Sequence, residues 1–521
     1  MDAFLHRHAD KITGHLSGLD RIVIRGRLRE IAYADGLEKC LTMEKVLLKD
    51  FPQFAKSMTE ALVDATESQT KVILGCPPEF LDSPETNKEA RALEIAKAKG
   101  ITKDLICVLK SVEPCRKFDR RKNEKGRLEL VNRSGKCAFF YHYGFHPVFG
   151  FMNVRIQTWI PFTIQVCLNG REWLARQMDK IGLGYERDDN TFTWVENVAT
   201  AQRLLNKQWE VSLEELFVEL AHYVFPQYPY LFSRFNVRYD WTVYQSEVAT
   251  DVMFREPHEL QQVYQPAVRQ AIPVFGSADV IRFLGQSRVT KSGEIYKRFR
   301  GEVTSDYKQR LEGIRVKHSV NGNSVKVYDK ARLVLRTETT INNPHDFKVM
   351  RPKEGGKAKD IKRRYLRKSL EDLGRRVETS RKCNERYLDG LATLSSTQPL
   401  GELMQPLAQT ARVGKTQARG LNPHRPDDAA LLRAVNRGEF VLNGFRNDDI
   451  RKLLHPDTDD ANQRRRQISN VSRRLRLLRA HGLVQRVAGT HRYEVTPRGR
   501  EILVAILAAL EADTKRLVSA A

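Results

Sequence analysis

Seven arginines, Arg464, Arg465, Arg466, Arg473, Arg474, Arg476 and Arg479, crowd the window 464–479, in which no Asp or Glu occurs. A guanidinium is a planar fork of donors that pairs bidentately with guanine or clamps a phosphate. Ile468, Val471, Leu475 and Leu478 recur among them at spacings of three and four. That period predicts a helix with one apolar stripe against a core and cations on its other faces. A second chemistry needs carboxylates. Two divalent ions about 4 Å apart can drive attack on a phosphodiester, and Asp20, Asp251 and Glu338 stand in a workable order to hold them. With 64 Asp and Glu in the chain, many such triples exist. Aromatic residues interleave with basic ones in Tyr141 to Trp159 and in Tyr296-Lys297-Arg298-Phe299-Arg300. Stacking plus phosphate neutralisation is how single strands are held, although the first stretch also reads as ordinary core.

Other chemistries are excluded by what is missing. No GxxxxGK[ST] loop occurs and no GxGxxG follows a strand, so no nucleotide cofactor is expected. The seven cysteines are scattered without a CxxC pair, which argues against a disulfide framework and a cysteine zinc site and suits a reducing cytoplasm. The one His-x-His is His6-Arg7-His8; in His142-Tyr143-Gly144-Phe145-His146 the spacing of four would split the rings between strand and turn. Lys and Arg outnumber Asp and Glu by 88 to 64, a formal net charge of +24, which favours polyanionic partners. No apolar run approaches the roughly 18 residues that cross a bilayer, so no membrane partner is expected. The first residues also lack the apolar core of a secretion signal.

These groups need elements to position them. The expected fold class is α+β multidomain. Its parts are an α/β domain over 1–135, an α+β domain with a β meander over 136–350, a basic helical segment over 351–394, a flexible linker over 395–426, and a closing module over 427–521. In the first domain, the run Gly18 to Gly26 predicts a buried strand, Leu37 to Ser68 a helical stretch, Val72-Ile73-Leu74 a strand, Asn87 to Lys99 a helix and Leu105 to Leu109 a strand. Cys137 to Leu168 is strand-rich, and Asn169 opens a helix that Gly182 stops. Strands over Ile314–Val320, Ser324–Lys330 and Val334–Ile341 form the meander, with Asn321-Gly322-Asn323 as the tight turn. Residues 351–382 carry thirteen Lys or Arg against five Asp or Glu, with helical spacing from about 359.

The closing module reads helix, helix, basic helix, hairpin, helix. Asp428 to Val435 is the first helix. The second starts near Asn447, a candidate cap, with Asp448 and Asp449 at its positive end. The arginine helix runs from about Asn462 to His481, and strands Leu483 to Val487 and Arg492 to Val495 follow. Residues 475–500, LRLLRAHGLVQRVAGTHRYEVTPRGR, resemble the recognition helix and wing of bacterial winged-helix regulators. The resemblance implies a helix in the major groove with Arg486, His491 and Arg492 of the wing on the flanking backbone.

The meander ends one strand in Tyr328-Asp329-Lys330 and carries Arg336-Thr337-Glu338 on the next. This segment resembles rolling-circle replication initiators of phages and plasmids. The resemblance implies Asp329 and Glu338 beside a divalent metal, Mg²⁺ or Mn²⁺, with Tyr328 as a nucleophile that stores the phosphodiester energy in a covalent link. It also implies a His-x-His metal pair on a strand, which this chain lacks. The competing reading is an ordinary hairpin with a surface Tyr-Lys-Glu network. The carboxylate trio instead fits a ribonuclease-H-like nuclease or transposase.

The expected function is therefore DNA recognition through a C-terminal winged helix, in a protein of mobile-element or plasmid type that cleaves or joins strands with a metal. Duplex DNA is the expected partner, with single strands as a second substrate. The alternatives are a non-catalytic transcription regulator and an RNA-binding protein that uses the basic segment 359–382.

Overall fold

The computed structural model describes residues 1–208, 210, 213–232, 237–285, 299, 301–310, 313–353, 360–392, 400–413, 416–437, 440, 444–487 and 490–511. The chain is an α+β multidomain protein built on a large mixed sheet with a meander. It divides into two compact units: one holds residues 16–249 and 366–378, the other 1–15, 250–365 and 379–521. These units differ from the expected domains. A break at 135/136 would cut the strand Leu128–His146, whose ladder with Asp104–Lys122 continues through both residues.

In the unit 16–249, strand order is Tyr239–Phe254, Ile12–Leu28, Ile164–Asn169, Gly150–Gln157, Leu128–His146, Asp104–Lys122, Glu79–Phe80. The predicted strand around Val23 lengthens to Ile12–Leu28. The helix Lys88–Lys99 forms where expected, with Asn87 Oδ1 accepting from the Ala90 amide at 3.1 Å. Asn169 likewise caps Gly170–Ile181, and Gly182 ends it at φ 68°. Val72-Ile73-Leu74 is not a strand. It is the last turn of the helix Phe51–Leu74, with Val72 85% exposed. A short apolar run satisfies either period, and the helix around it decides.

In the other unit, strand order is Val303–Gln309, Ile314–Val320, Asn323–Lys330, Val334–Ile341, then Tyr239–Phe254, the strand that passes through both units. Asn321 and Gly322 take φ 51° and 80°, the positive values that a two-residue hairpin turn requires. The helix Pro257–Val274 packs beside the meander. Residues 362–365 are a strand, not the start of a basic helix. The helix there is Leu373–Ala392, on which Arg376, Ser380, Asn384 and Tyr387 are buried. Within 395–426, the described residues form the helix Leu400–Ala408 and a small hairpin, whose Leu403, Leu407 and Leu421 join the C-terminal core.

That core belongs to a run of helix Pro426–Val435, strand Phe445–Arg446, helix Asn447–Leu454, helix Ala461–Ala480, strands Val484–Arg486 and Arg492–Val495, and helix Pro497–Glu511. The three strands pair in the order Phe445–Arg446, Arg492–Val495, Val484–Arg486. The two-residue strand adds a third member to the expected hairpin. Among the described residues no helix is long and apolar enough to cross a membrane.

Candidate nucleic-acid interface and carboxylate cluster

The arginine helix is seated by its apolar stripe. Val471, Leu475, Leu477 and Leu478 are buried, whereas Ile468 is 38% exposed. Gln467 takes the buried position expected for Ile468. Its Nε2 donates to Pro456 O at 3.1 Å, and its Oε1 accepts from Arg451 at 3.2 Å. Asp460 caps the helix by accepting from the Asn462 amide at 2.8 Å. Asn447 is not a cap: it is the first residue of its own helix and donates to Ile468 O and Ser472 Oγ, at 3.1 and 2.8 Å. Asp449 does the capping instead, accepting from the Arg446 amide at 2.7 Å.

Arg464, Arg465, Arg466, Arg473, Arg476 and Arg479 are exposed. Arg464 lies 3.8 Å from Asp448. Arg474 is half-buried against Asp427 at 3.5 Å, so it braces the fold. In the hairpin, Arg486 and His491 are exposed. Arg492 is half-buried and donates to Gly444 O at 3.0 Å, so its role is to hold a strand pair. Exposed guanidinium groups on a rigid rod, backed by a strand hairpin, can neutralise a row of phosphates.

The meander brings two of its three predicted residues together. Tyr328 donates to Glu338 Oε2 at 3.0 Å, and Lys326 Nζ sits 2.6 Å from Glu338 Oε1. Lys326 and Glu338 are directly cross-strand partners, as are Tyr328 and Arg336, so all four share a face. Asp329 is one residue from Tyr328 and therefore points to the opposite face. There its Oδ2 accepts from Gln261 at 2.6 Å. Asp329 and Glu338 thus do not form the metal pair expected of them.

Asp251 is also committed elsewhere, to a buried two-point pair with Arg336 at 2.6 and 3.0 Å. Glu247, four residues earlier on the same face of the strand, stands beside Asp20 instead. Within the unit 16–249, Asp20 and Glu247 each offer one carboxylate oxygen within 4.8 Å of the other, a pair that could contribute to a metal site. Carboxylate oxygens are the hard donors that Mg²⁺ and Mn²⁺ prefer. Arg171 already lies 3.9 Å from Asp20. An ion held by Asp20 would share that carboxylate with Arg171.

Among the described residues, His6, His8, His142 and His146 belong to no group that could hold a metal ion. The strand continues to His146, whose Nδ1 accepts from the Val148 and Phe149 amides. Burial pushes His142 down to about 4, which keeps it neutral. His6 lies on a helix. In Tyr296 to Arg300 only Phe299 falls within the described residues. No protein-family model matches this chain, and neither a curated protein nor a solved structure does.

Proposed function

We propose that residues 426–511 are a winged-helix module that grips duplex DNA, with Ala461–Ala480 lying in the major groove and the hairpin 484–495 against the flanking backbone. The observation that carries this reading is the exposed face of Arg464, Arg465, Arg466, Arg473, Arg476 and Arg479 on one buried-stripe helix. A helix fits the major groove, and arginines there serve both phosphates and guanine edges. The protein would then be a sequence-reading component of a mobile element or plasmid.

The test is fluorescence anisotropy with a labelled pool of random duplexes, each about 30 base pairs long. Charge reversal at Arg465, Arg466, Arg473 and Arg476 should weaken binding by at least about 100-fold, with a salt slope lower by roughly 0.9 for each phosphate that is no longer neutralised. Unchanged affinity for duplex and single strand alike would refute the assignment.

A second reading adds metal-dependent strand cleavage or joining and is favoured by the neighbouring Asp20 and Glu247 carboxylates. Bound Mg²⁺ or Mn²⁺ would supply Lewis-acid chemistry at a phosphodiester. Nicking of labelled DNA with Mn²⁺, abolished in Glu247→Gln, supports it. A protein that shifts DNA but never cuts it is a regulator. Preference for structured RNA over duplex DNA in competition favours the RNA alternative.

A further inference from the structure

On one face of the sheet in the unit 16–249 lies an open concavity of about 630 Å³, lined by four arginines and no acidic residue. Its floor is a row across three strands: Arg25 pairs with Gln165, which pairs in turn with Arg155. Neighbouring strands are about 4.8 Å apart, so two guanidinium groups stand on one line with only an amide between them. Arg27, two residues along from Arg25, faces the same way, and Arg116 joins from the strand Asp104–Lys122. Like charges placed together on a sheet face oppose folding, and this chain has placed four.

The cations are held in position. Arg25 stacks on the Tyr244 ring, 3.7 Å from its centroid, and its Nε is buried without a hydrogen-bond partner. Burial lowers the Arg25 pKa, and neighbouring Arg27 and Arg155 add to that effect. Arg116 is aimed by two bonds to Asn132, at 2.9 and 2.6 Å. Arg155 alone has acidic help, from Glu113 at 3.7 Å, and it also donates to Tyr141. At the rim stands Tyr33, 71% exposed.

We infer that this concavity seats a nucleotide of single-stranded nucleic acid, with phosphodiester oxygens on Arg25, Arg27 and Arg116 and a base against Tyr33. Four guanidinium groups with a single, distant carboxylate among them call for an anion with several acceptor oxygens. The volume is that of a small-ligand pocket, on the scale of one or two nucleotides. A cationic cradle with an aromatic platform is how strands are held without sequence preference. The basic hairpin that continues beyond Arg116, with Arg120, Lys122, Lys125 and Arg127 exposed, offers a path for the rest of the strand. The inference shares only its ligand class with the duplex-binding proposal and stands on different residues.

The test uses the full chain and fluorescein-labelled oligothymidylate of about fifteen nucleotides. The double substitution Arg27→Ala, Arg116→Ala should weaken binding at least about tenfold and lower the salt slope by roughly 1.4, since each single-strand phosphate neutralised is worth about 0.7. Tyr33→Ala should also weaken it, with recovery in Tyr33→Trp. Arg27, Arg116 and Tyr33 are all exposed, so these variants should fold, and an unchanged circular dichroism spectrum checks that. Oligothymidylate affinity unchanged in the double variant overturns the inference, as does thymidine monophosphate competing as well, per molecule, as the strand. Loss of duplex binding alone in the Arg465 and Arg473 charge reversals bears on the other proposal and leaves this one standing.

Discussion

Arg451 Nη1 lies 3.2 Å from Gln467 Oε1, a hydrogen bond between a 1%-exposed guanidinium and a buried amide on the arginine helix. The other arms of Arg451 reach Asp448 at 2.8 Å and Asp457 at 3.3 Å. The short helix, the turn and the arginine helix are thereby pinned to one cation, and the orientation of the exposed arginines follows from it. The same contact holds the Asp448 carboxyl below its usual range, with burial opposing.

Arg451→Met should therefore cost about 1–3 kcal/mol of stability, because it leaves the buried Gln467 Oε1 without its donor, while the half-exposed Asp448 keeps Lys452 and Arg464. Thermal unfolding of the full chain measures this. DNA affinity should fall with it, although Arg451 itself is too buried to touch a ligand. A variant as stable as the parent would remove the pinning role.

Asp251 and Glu247 should separate fold from site. Asp251→Ala strands the fully buried Arg336 and should cost about 3–5 kcal/mol in urea unfolding. Glu247→Gln keeps the shape of its side chain and should spare stability while weakening Mn²⁺ binding at least about tenfold in titration calorimetry. Equal Mn²⁺ affinity in parent and Glu247→Gln would exclude the carboxylate cluster as a metal site.

His318 should make stability fall in mild acid. Burial lowers it to about 4, with Asp306 opposing, while its ring nitrogens meet Ser305 Oγ at 2.7 Å and the Tyr387 hydroxyl at 2.9 Å. The folded value is below the unfolded value of about 6.5, so the unfolded chain takes up the proton first. Stability is intact above about pH 6.5 and declines as pH falls toward about 4, by an amount on the order of 3 kcal/mol. His142, also lowered to about 4, adds a slope of the same sign. Urea unfolding across the range from roughly pH 7.5 to 4.5 should show a shallower decline in His318→Gln; identical slopes would assign the effect elsewhere.

Val72→Lys should change stability by less than about 0.5 kcal/mol, since Val72 is 85% exposed on a helix end. Differential scanning calorimetry decides it, and a drop of several degrees would mean the residue is covered.

The meander is legible in the sequence almost to the residue, because strict alternation and an Asn-Gly turn are both local signals. Val72-Ile73-Leu74 is not, since three apolar residues fit a helix end as well as a strand. The site residues depend on partners far along the chain. Nothing near Asp251 says that Arg336, 85 positions away, occupies it. Ile468 and Gln467 differ by one helical step of about 100°, and the exchange between them is decided by Arg451 on another helix. Asp329 is excluded by strand alternation alone: next to Tyr328, it cannot face one ion together with Glu338.

Residues 1–15 belong with 250–365 and 379–521, yet the ribosome makes them long before those partners. Lys11 meets Gln262 and Thr13 meets Met253 only after 251 and 240 further positions have been added. At about 5–20 residues per second, the leading segment waits on the order of tens of seconds for its partners. During that interval most of the unit 16–249 has emerged and can collapse. The order of birth and the order of closure are therefore reversed for residues 1–15, and chaperones acting on nascent chains would meet that segment unpaired.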